Sequence, residues 1–126
     1  MGSPLIHFEL VADNPEGLAD FYRKLFDWKI EKFEGGMDYW NIDTGSMPGG
    51  GMAKREGPEQ IQTIYFDVPS IEQHLEKAQQ LGAKVIVEKA PVEQMGWIAQ
   101  IVDPQGNMIG LWETNPEFMA QQESEG

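Results

Sequence analysis

Two residues on one strand face carry the most direct chemical suggestion in this chain. His7 and Glu9 stand one residue apart in the alternating run Pro4-Leu5-Ile6-His7-Phe8-Glu9-Leu10-Val11. Side chains two apart on an extended strand project the same way, so the imidazole and the carboxylate share a face with Leu5 and Val11, while Ile6, Phe8 and Leu10 take the other. A carboxylate beside an imidazole can be tuned toward neutral pH and work as an acid–base pair. It can equally be a structural hydrogen bond, and the sequence leaves both readings open. The second histidine, His74, lies in a polar helical stretch and reads as an exposed residue. No Gly-x-Ser-x-Gly motif is present, and Gly49-Gly50-Gly51 lacks the Lys-Ser/Thr that completes a phosphate loop. The absence of cysteine removes disulfides, thiolate metal sites and cysteine nucleophiles together. Trp40, Trp97 and Trp112 with Tyr39 and Tyr65 offer planar surface either to a ligand or to a core. Met47 and Met52, flanking the glycine run, suit an adaptable pocket wall or ordinary gap filling.

The elements that must position these groups repeat. After the first strand, Asn14 is placed to cap a helix with Pro15 at its first position, where a missing N–H costs nothing. Leu18, Phe21, Tyr22 and Leu25 give that helix an apolar stripe to pack on Ile6, Phe8 and Leu10. Strands are expected at 28–33, 38–44 and 52–55, with 45–51 a flexible connection and 56–60 a linker. The order then recurs. Residues 61–68 alternate like the first strand, and Ser70-Ile71-Glu72-Gln73 has the form of a capping box. Ile71, Leu75, Ala78 and Leu81 form a second stripe that Gly82 ends. Three further strands follow at 84–92, 97–102 and 108–112. Between the last two, Asp103-Pro104-Gln105-Gly106-Asn107 combines the fixed φ of proline with residues that tolerate positive φ, a tight turn. Each half is therefore strand, helix and three strands, module one over about 4–56 and module two over about 61–114. Neither half buries both faces of its own sheet, so two curved sheets facing each other across a cleft are expected, with a polar tail from 115 to 126 in which Phe118 and Met119 can dock on a neighbour.

Composition narrows the partners. The 126 residues, 40% hydrophobic, suffice for one domain with a core. Twenty-one acidic against nine basic residues leave a formal net charge of −12, which argues against nucleic acid and anionic membrane and favours a neutral or cationic small molecule. No apolar run reaches ~18 residues and no signal peptide is visible, so a cytoplasmic protein is expected.

The doubled order, His7 followed by Asn14-Pro15-Glu16 and Phe21-Tyr22, and the Asp103–Asn107 turn together resemble the vicinal oxygen chelate superfamily of glyoxalase I, extradiol dioxygenases and bleomycin-resistance proteins. The resemblance covers about residues 4–114 and implies an α+β fold of paired βαβββ modules. In metal-dependent members, His or Glu side chains on the first and last strand of each half hold a divalent ion that binds two neighbouring substrate oxygens. Carried onto this chain, the first of these positions is His7, the second falls on Thr63, the last-strand position of the second half on Gly110, and that of the first half near Gly50 or Gly51. Three of four ligands are thus absent, which implies no metal cofactor. Glu9, with Tyr65 and Asp67, is the irregular set that could still rescue one.

The resulting expectation is a domain that binds a small organic molecule, with His7 and Glu9 as the catalytic pair. Thr63, Tyr65, Trp97, Met108, Gly110, Trp112 and Met52 are expected to touch the ligand; Trp97, Met108, Trp112 and Tyr65 are placed there because they share the alternation phase of the ligand positions. The activity implied is of lyase or isomerase type. Two other readings stand beside it, a metal-free sequestering protein of bleomycin-resistance type and a regulatory or scaffold domain. Relatives of this kind pair as homodimers, which implies the same here.

Overall fold

Asn14 starts the first helix as its position before Pro15 predicts: its side-chain oxygen accepts from the Gly17 N–H at 3.2 Å, and Pro15 occupies the first turn. The computed structural model describes residues 2–117; Phe118, Met119 and the remaining tail lie outside the described residues. The chain runs β1 (Leu5–Ala12), α1 (Pro15–Phe26), β2 (Lys29–Lys32), β3 (Tyr39–Asp43), β4 (Gly49–Lys54), then β5 (Thr63–Asp67), α2 (Ile71–Gln80), β6 (Lys84–Val92), β7 (Gly96–Val102) and β8 (Met108–Thr114). This is the α+β, twice βαβββ order that the sequence implies. The chain divides into two compact units, one of Ile6–Ile64 and one of Tyr65 onward with the N-terminal residues through Leu5. No helix among the described residues is long and apolar enough to cross a membrane.

In the Ile6–Ile64 unit the strands lie in the order β2-β3-β4-β1, with β1 and β4 parallel and the other pairs antiparallel. Register places Phe8 opposite Gly50 and Leu10 opposite Met52, so this set of side chains turns toward α1. Ala12, Ala19, Ile30, Trp40, Ile42 and Met52 form the core there, with Phe8, Leu10, Leu18, Tyr22 and Trp28 packed against it. The helix stripe is rotated from the expected one. Ala19 is fully buried, whereas Phe21 and Leu25 are 53% and 56% exposed. A small residue lets the helix lie close to the sheet, which brings Leu18 and Tyr22 inward and turns Phe21 and Leu25 out. The glycine run, expected as a flexible connection, is instead the first half of β4. Pairing along both edges, with β1 and β3, holds it extended against its weak intrinsic preference. A Cβ at Gly50 would come within 2.7 Å of the Phe8 ring, so glycine leaves the space that ring fills.

The other unit repeats the plan, with β5-β8-β7-β6 as neighbours and β8, β7 and β6 antiparallel in turn. Val68, Ile71, Ala99 and Leu111 form its core, with Leu75, Trp97 and Ile109 against them. The Ser70 hydroxyl accepts from the Gln73 N–H at 3.3 Å, one half of the predicted capping box. Leu81, expected on the buried stripe, is 68% exposed because it is the C-cap, where the chain leaves the helix axis before Gly82 turns with φ +100°. The Asp103–Asn107 turn closes as predicted. Asp103 exchanges backbone bonds with Asn107 and Gly106, and its carboxylate accepts from the N–H groups of Gln105 and Asn107 and from the Asn107 amide.

Candidate functional site

The face of the Ile6–Ile64 unit turned away from α1 carries His7 and Glu9 on β1, Gly49, Gly51 and Ala53 on β4, and Tyr39 and Asn41 on β3. Alternation alone predicts the His7–Glu9 pairing, and the structure joins them. His7 Nε2 lies 2.8 Å from Glu9 Oε2. The sequence presents Tyr39, from the third strand, only as part of an aromatic surface, yet its hydroxyl completes the group. It donates to the same Glu9 Oε2 at 2.9 Å and lies 3.3 Å from His7 Nε2. With Glu9 ionised, the short His7 contact is a hydrogen bond when the imidazole carries its proton on Nε2. Glu9 Oε2 then accepts twice, while Oε1 makes no hydrogen bond among the described residues. The side chains of His7 and Glu9 are 33% and 22% exposed, partly shielded and within reach of a ligand.

What lets Tyr39 reach this position is Gly51. Glu9 pairs with Gly51 across β1 and β4, and a Cβ there would overlap the Tyr39 hydroxyl and stand 2.9 Å from Cε2. Of the two glycines between which the sequence could not choose, Gly51 shares the face of His7 and Glu9, and Gly50 faces the core. The signal that could have found Tyr39 is positional. It is the first residue of β3, diagonal to Gly51, which itself lies opposite Asn41.

A parallel arrangement stands in the other unit. Gly110 on β8 is covered by the ring of Tyr65, whose Cγ would be 2.8 Å from a Cβ at that position. Tyr65 is 8% exposed, and its hydroxyl accepts from Gln100 Nε2 at 2.9 Å. Register puts Gln100 opposite Gly110 and Ile98 opposite Trp112, so this face collects Met108, Gly110 and Trp112 with Ile98 and Gln100. The Trp112 indole N–H donates to Thr114 Oγ1, and its ring lies over Gly96, 2.8 Å from a Cβ there. Gln100 was missed because a single glutamine in a strand carries no motif.

Two of the expected ligand contacts are placed elsewhere. Trp97 pairs with Glu113, not with a residue of the Gly110 face, and packs on the α2 side with Leu111 and Ala99 beneath Lys89, whose Nζ stands 4.6 Å from its ring centre. The phase assigned from sequence fails because the parity of β7 is set by its register with β8, which no local pattern discloses. Met52 is completely buried in the α1 core, on the opposite side of β4 from Gly51. Thr63 is buried, its hydroxyl 3.4 Å from the Ile61 carbonyl, and belongs to the Ile6–Ile64 unit. Trp40 is a core residue whose indole N–H donates to Glu16. His74 is tied into its own helix, Nδ1 lying 2.9 Å from the Ser70 carbonyl.

A second charged group lies at the N-terminus of α2. Glu113 accepts from the Ile71 N–H at 2.8 Å and lies 3.5 Å from Lys89 Nζ, which also reaches Glu72 at 3.0 Å. A carboxylate there satisfies a free helix N–H and meets the positive end of the helix dipole. The hydrogen bond to Glu72, together with the charges of Glu113 and Glu72, raises the pKa of Lys89 and holds it charged. This group ties β6 and β8 to α2 and serves the fold.

Comparison with known proteins gives concordant matches. The family model described as "Glyoxalase/Bleomycin resistance protein/Dioxygenase superfamily" matches residues 5–111. The protein named "Putative glyoxylase CFP32", from Mycobacterium bovis and Mycobacterium tuberculosis, is 27% identical over 117 residues. That alignment covers 90% of this chain and 45% of the relative, so the chain spans about half the length of the curated relatives it matches. Among solved structures, a hypothetical protein from Bacillus halodurans superposes with a TM-score of 0.69 at 16% identity, covering 90% of this chain and 96% of that one. Methylmalonyl-CoA epimerase from Mycobacterium tuberculosis gives 0.67 at 14%, covering 92% and 91%. At such identities these likenesses speak for the fold alone.

Proposed function

The chain belongs to the glyoxalase/bleomycin resistance protein/dioxygenase superfamily, and from that premise we propose that it binds a small organic molecule against the His7–Glu9–Tyr39 face and moves a proton on it. The reaction is of isomerase or lyase type and does not pass through the chelated metal of metal-dependent relatives. One observation carries the reading: an imidazole, a carboxylate and a phenol from two strands meet at a single carboxylate oxygen, partly shielded from solvent. The donor set does not fit the relatives' metal. Gly51 and Gly110 offer no side chain, tyrosine rings fill the space above both, and no three His, Cys, Asp or Glu side chains converge among the described residues.

In the step proposed, Glu9 takes a proton from a carbon next to a carbonyl. The C–H electron pair moves onto the carbonyl oxygen as an enolate, and the neutral Glu9 returns the proton to carbon. If the carbon beyond carries a leaving group, the pair expels it instead and a double bond forms. The name of the CFP32 relatives, "Putative glyoxylase", is in keeping with a small carbonyl substrate. The net charge of −12 favours a neutral or cationic substrate over a polyanionic thioester.

The test follows deuterium uptake at carbon by proton NMR in D2O, offering methylglyoxal as a neutral carbonyl compound and methylmalonyl-CoA as an anionic one. Exchange of methylglyoxal above the buffer rate, lost in E9Q, is expected; the same exchange in E9Q, or none with either compound, overturns the proposal. Binding without exchange would transfer the case to the metal-free sequestering reading, which the acidic surface also suits. Assembly as a homodimer is part of this proposal, and light scattering checks it.

A further inference from the structure

Resting on the reading of Glu9 as the proton acceptor, we propose that Tyr39 seated over Gly51 is a positioning residue that commits one oxygen of that carboxylate and leaves the other to react. The phenol and the imidazole both address Oε2, from β3 and from the neighbouring position on β1, while Oε1 has no partner among the described residues. Two donors converging on one oxygen fix the plane of the carboxylate as well as its position. A glutamate has three rotatable side-chain bonds, and holding it in one geometry removes the orientational part of the barrier to proton transfer. Oε1 is therefore the atom that accepts the proton, and Tyr39 and His7 act through Oε2 without touching the reacting carbon.

Gly51 is the second member of this device. The atom that a Cβ at position 51 would strike first is the hydroxyl of Tyr39, the far end of a side chain that can swing aside. An alanine there evicts the phenol from Glu9 while leaving the strand pairing of β4 intact. The substitution thus separates the hydrogen bond from the fold, which removal of the tyrosine alone does not do.

Because the natural ligand is unidentified, the probe is 5-nitrobenzisoxazole, a neutral planar carbon acid. A base removes its C3 proton, the C–H pair becomes the third bond of the nitrile, and the N–O bond breaks to leave 2-cyano-4-nitrophenolate, followed by its absorbance. The protein is expected to accelerate this opening above buffer, and E9Q is expected to lower kcat by about a hundredfold. Y39F and G51A are each expected to lower kcat by about tenfold with KM unchanged. The double variant Y39F/G51A is expected to be no slower than G51A, because both changes remove one interaction. Circular dichroism identifies any variant that has lost its fold, and G51A, whose clash is with a side-chain tip, keeps the proposal testable if Y39F unfolds. Loss in E9Q with wild-type kcat in both Y39F and G51A overturns the role of Tyr39 and leaves the reading of Glu9 standing. Wild-type kcat in E9Q, or no acceleration by the wild-type protein, overturns both.

Discussion

Gly110 lies beneath the body of the Tyr65 ring, so a Cβ at position 110 would meet Cγ at 2.8 Å. This contact differs from the one at Gly51, where the obstructing atom is the tip of a half-buried tyrosine. Tyr65 is almost fully buried and its hydroxyl is engaged by Gln100, so the ring has little room to yield. G110A should therefore destabilise the protein by about 1–3 kcal/mol, the usual range for overpacking. In a Y65A background the same substitution should cost markedly less, and urea unfolding of the four proteins in that cycle measures the coupling.

Met52 provides a prediction that separates the core from the proposed site. Its side chain is completely buried among Trp40, Ile42 and Ala19, and M52A should cost about 2–5 kcal/mol through lost contacts and a residual cavity. Because it lies on the opposite side of β4 from Gly51, KM for the benzisoxazole probe should stay at its wild-type value below the unfolding temperature. A several-fold rise in KM would return Met52 to the ligand wall.

Glu113 acts 42 positions from Ile71, and its removal should release the first turn of α2. E113A should lose about 1–2 kcal/mol, within the range for N-terminal capping groups. E113Q keeps an oxygen acceptor for the Ile71 N–H but loses the charge that faces Lys89, so it should fall between the two. Hydrogen exchange at the Ile71 amide tests the assignment directly, since it should quicken in E113A and much less in E113Q.

The Asp103 carboxylate has its pKa lowered from the ordinary value of 3.8, first by the backbone N–H of Asn107, then by the Asn107 side chain and the Gln105 N–H. A depressed folded-state value means that the ionised form stabilises the fold. That contribution is complete above the unfolded value and is lost as pH falls through the folded one. The urea midpoint of D103A should lie below wild type at pH 7, and the gap should narrow as the pH is taken below 3.8. The carboxylate lies in a surface turn, so salt and solvent keep the difference small. A gap unchanged at low pH would show that the turn does not depend on this charge.

How much of this was legible follows from the distance over which each feature is encoded. Asn14, Ser70 and the Asp103–Asn107 turn act within four residues, and their side chains alone specify the caps and the turn. His7 and Glu9 needed only the two-residue period of one strand. The α1 stripe was misread because Phe21 and Leu25 outweigh Ala19 in hydrophobicity, whereas close packing selected the small residue. Trp97 was misplaced for want of the β7–β8 register, and the glycine run was read as a loop because its strand conformation is imposed by β1 and β3. Tyr39 and Tyr65 covering Gly51 and Gly110 were out of reach for the same reason. A glycine in the sequence does not say whose ring will fill the space it leaves.

That last feature bears on the routes by which this sequence can change. A carboxylate introduced at position 51 would meet the phenol of Tyr39, and one introduced at 110 would meet the ring of Tyr65. At 51 the phenol tip can swing aside, so one substitution is accommodated, whereas at 110 the buried ring cannot yield and the tyrosine must change as well. The two halves of the repeat therefore carry unequal freedom to gain a side chain at the glycine, although each glycine lies under a tyrosine.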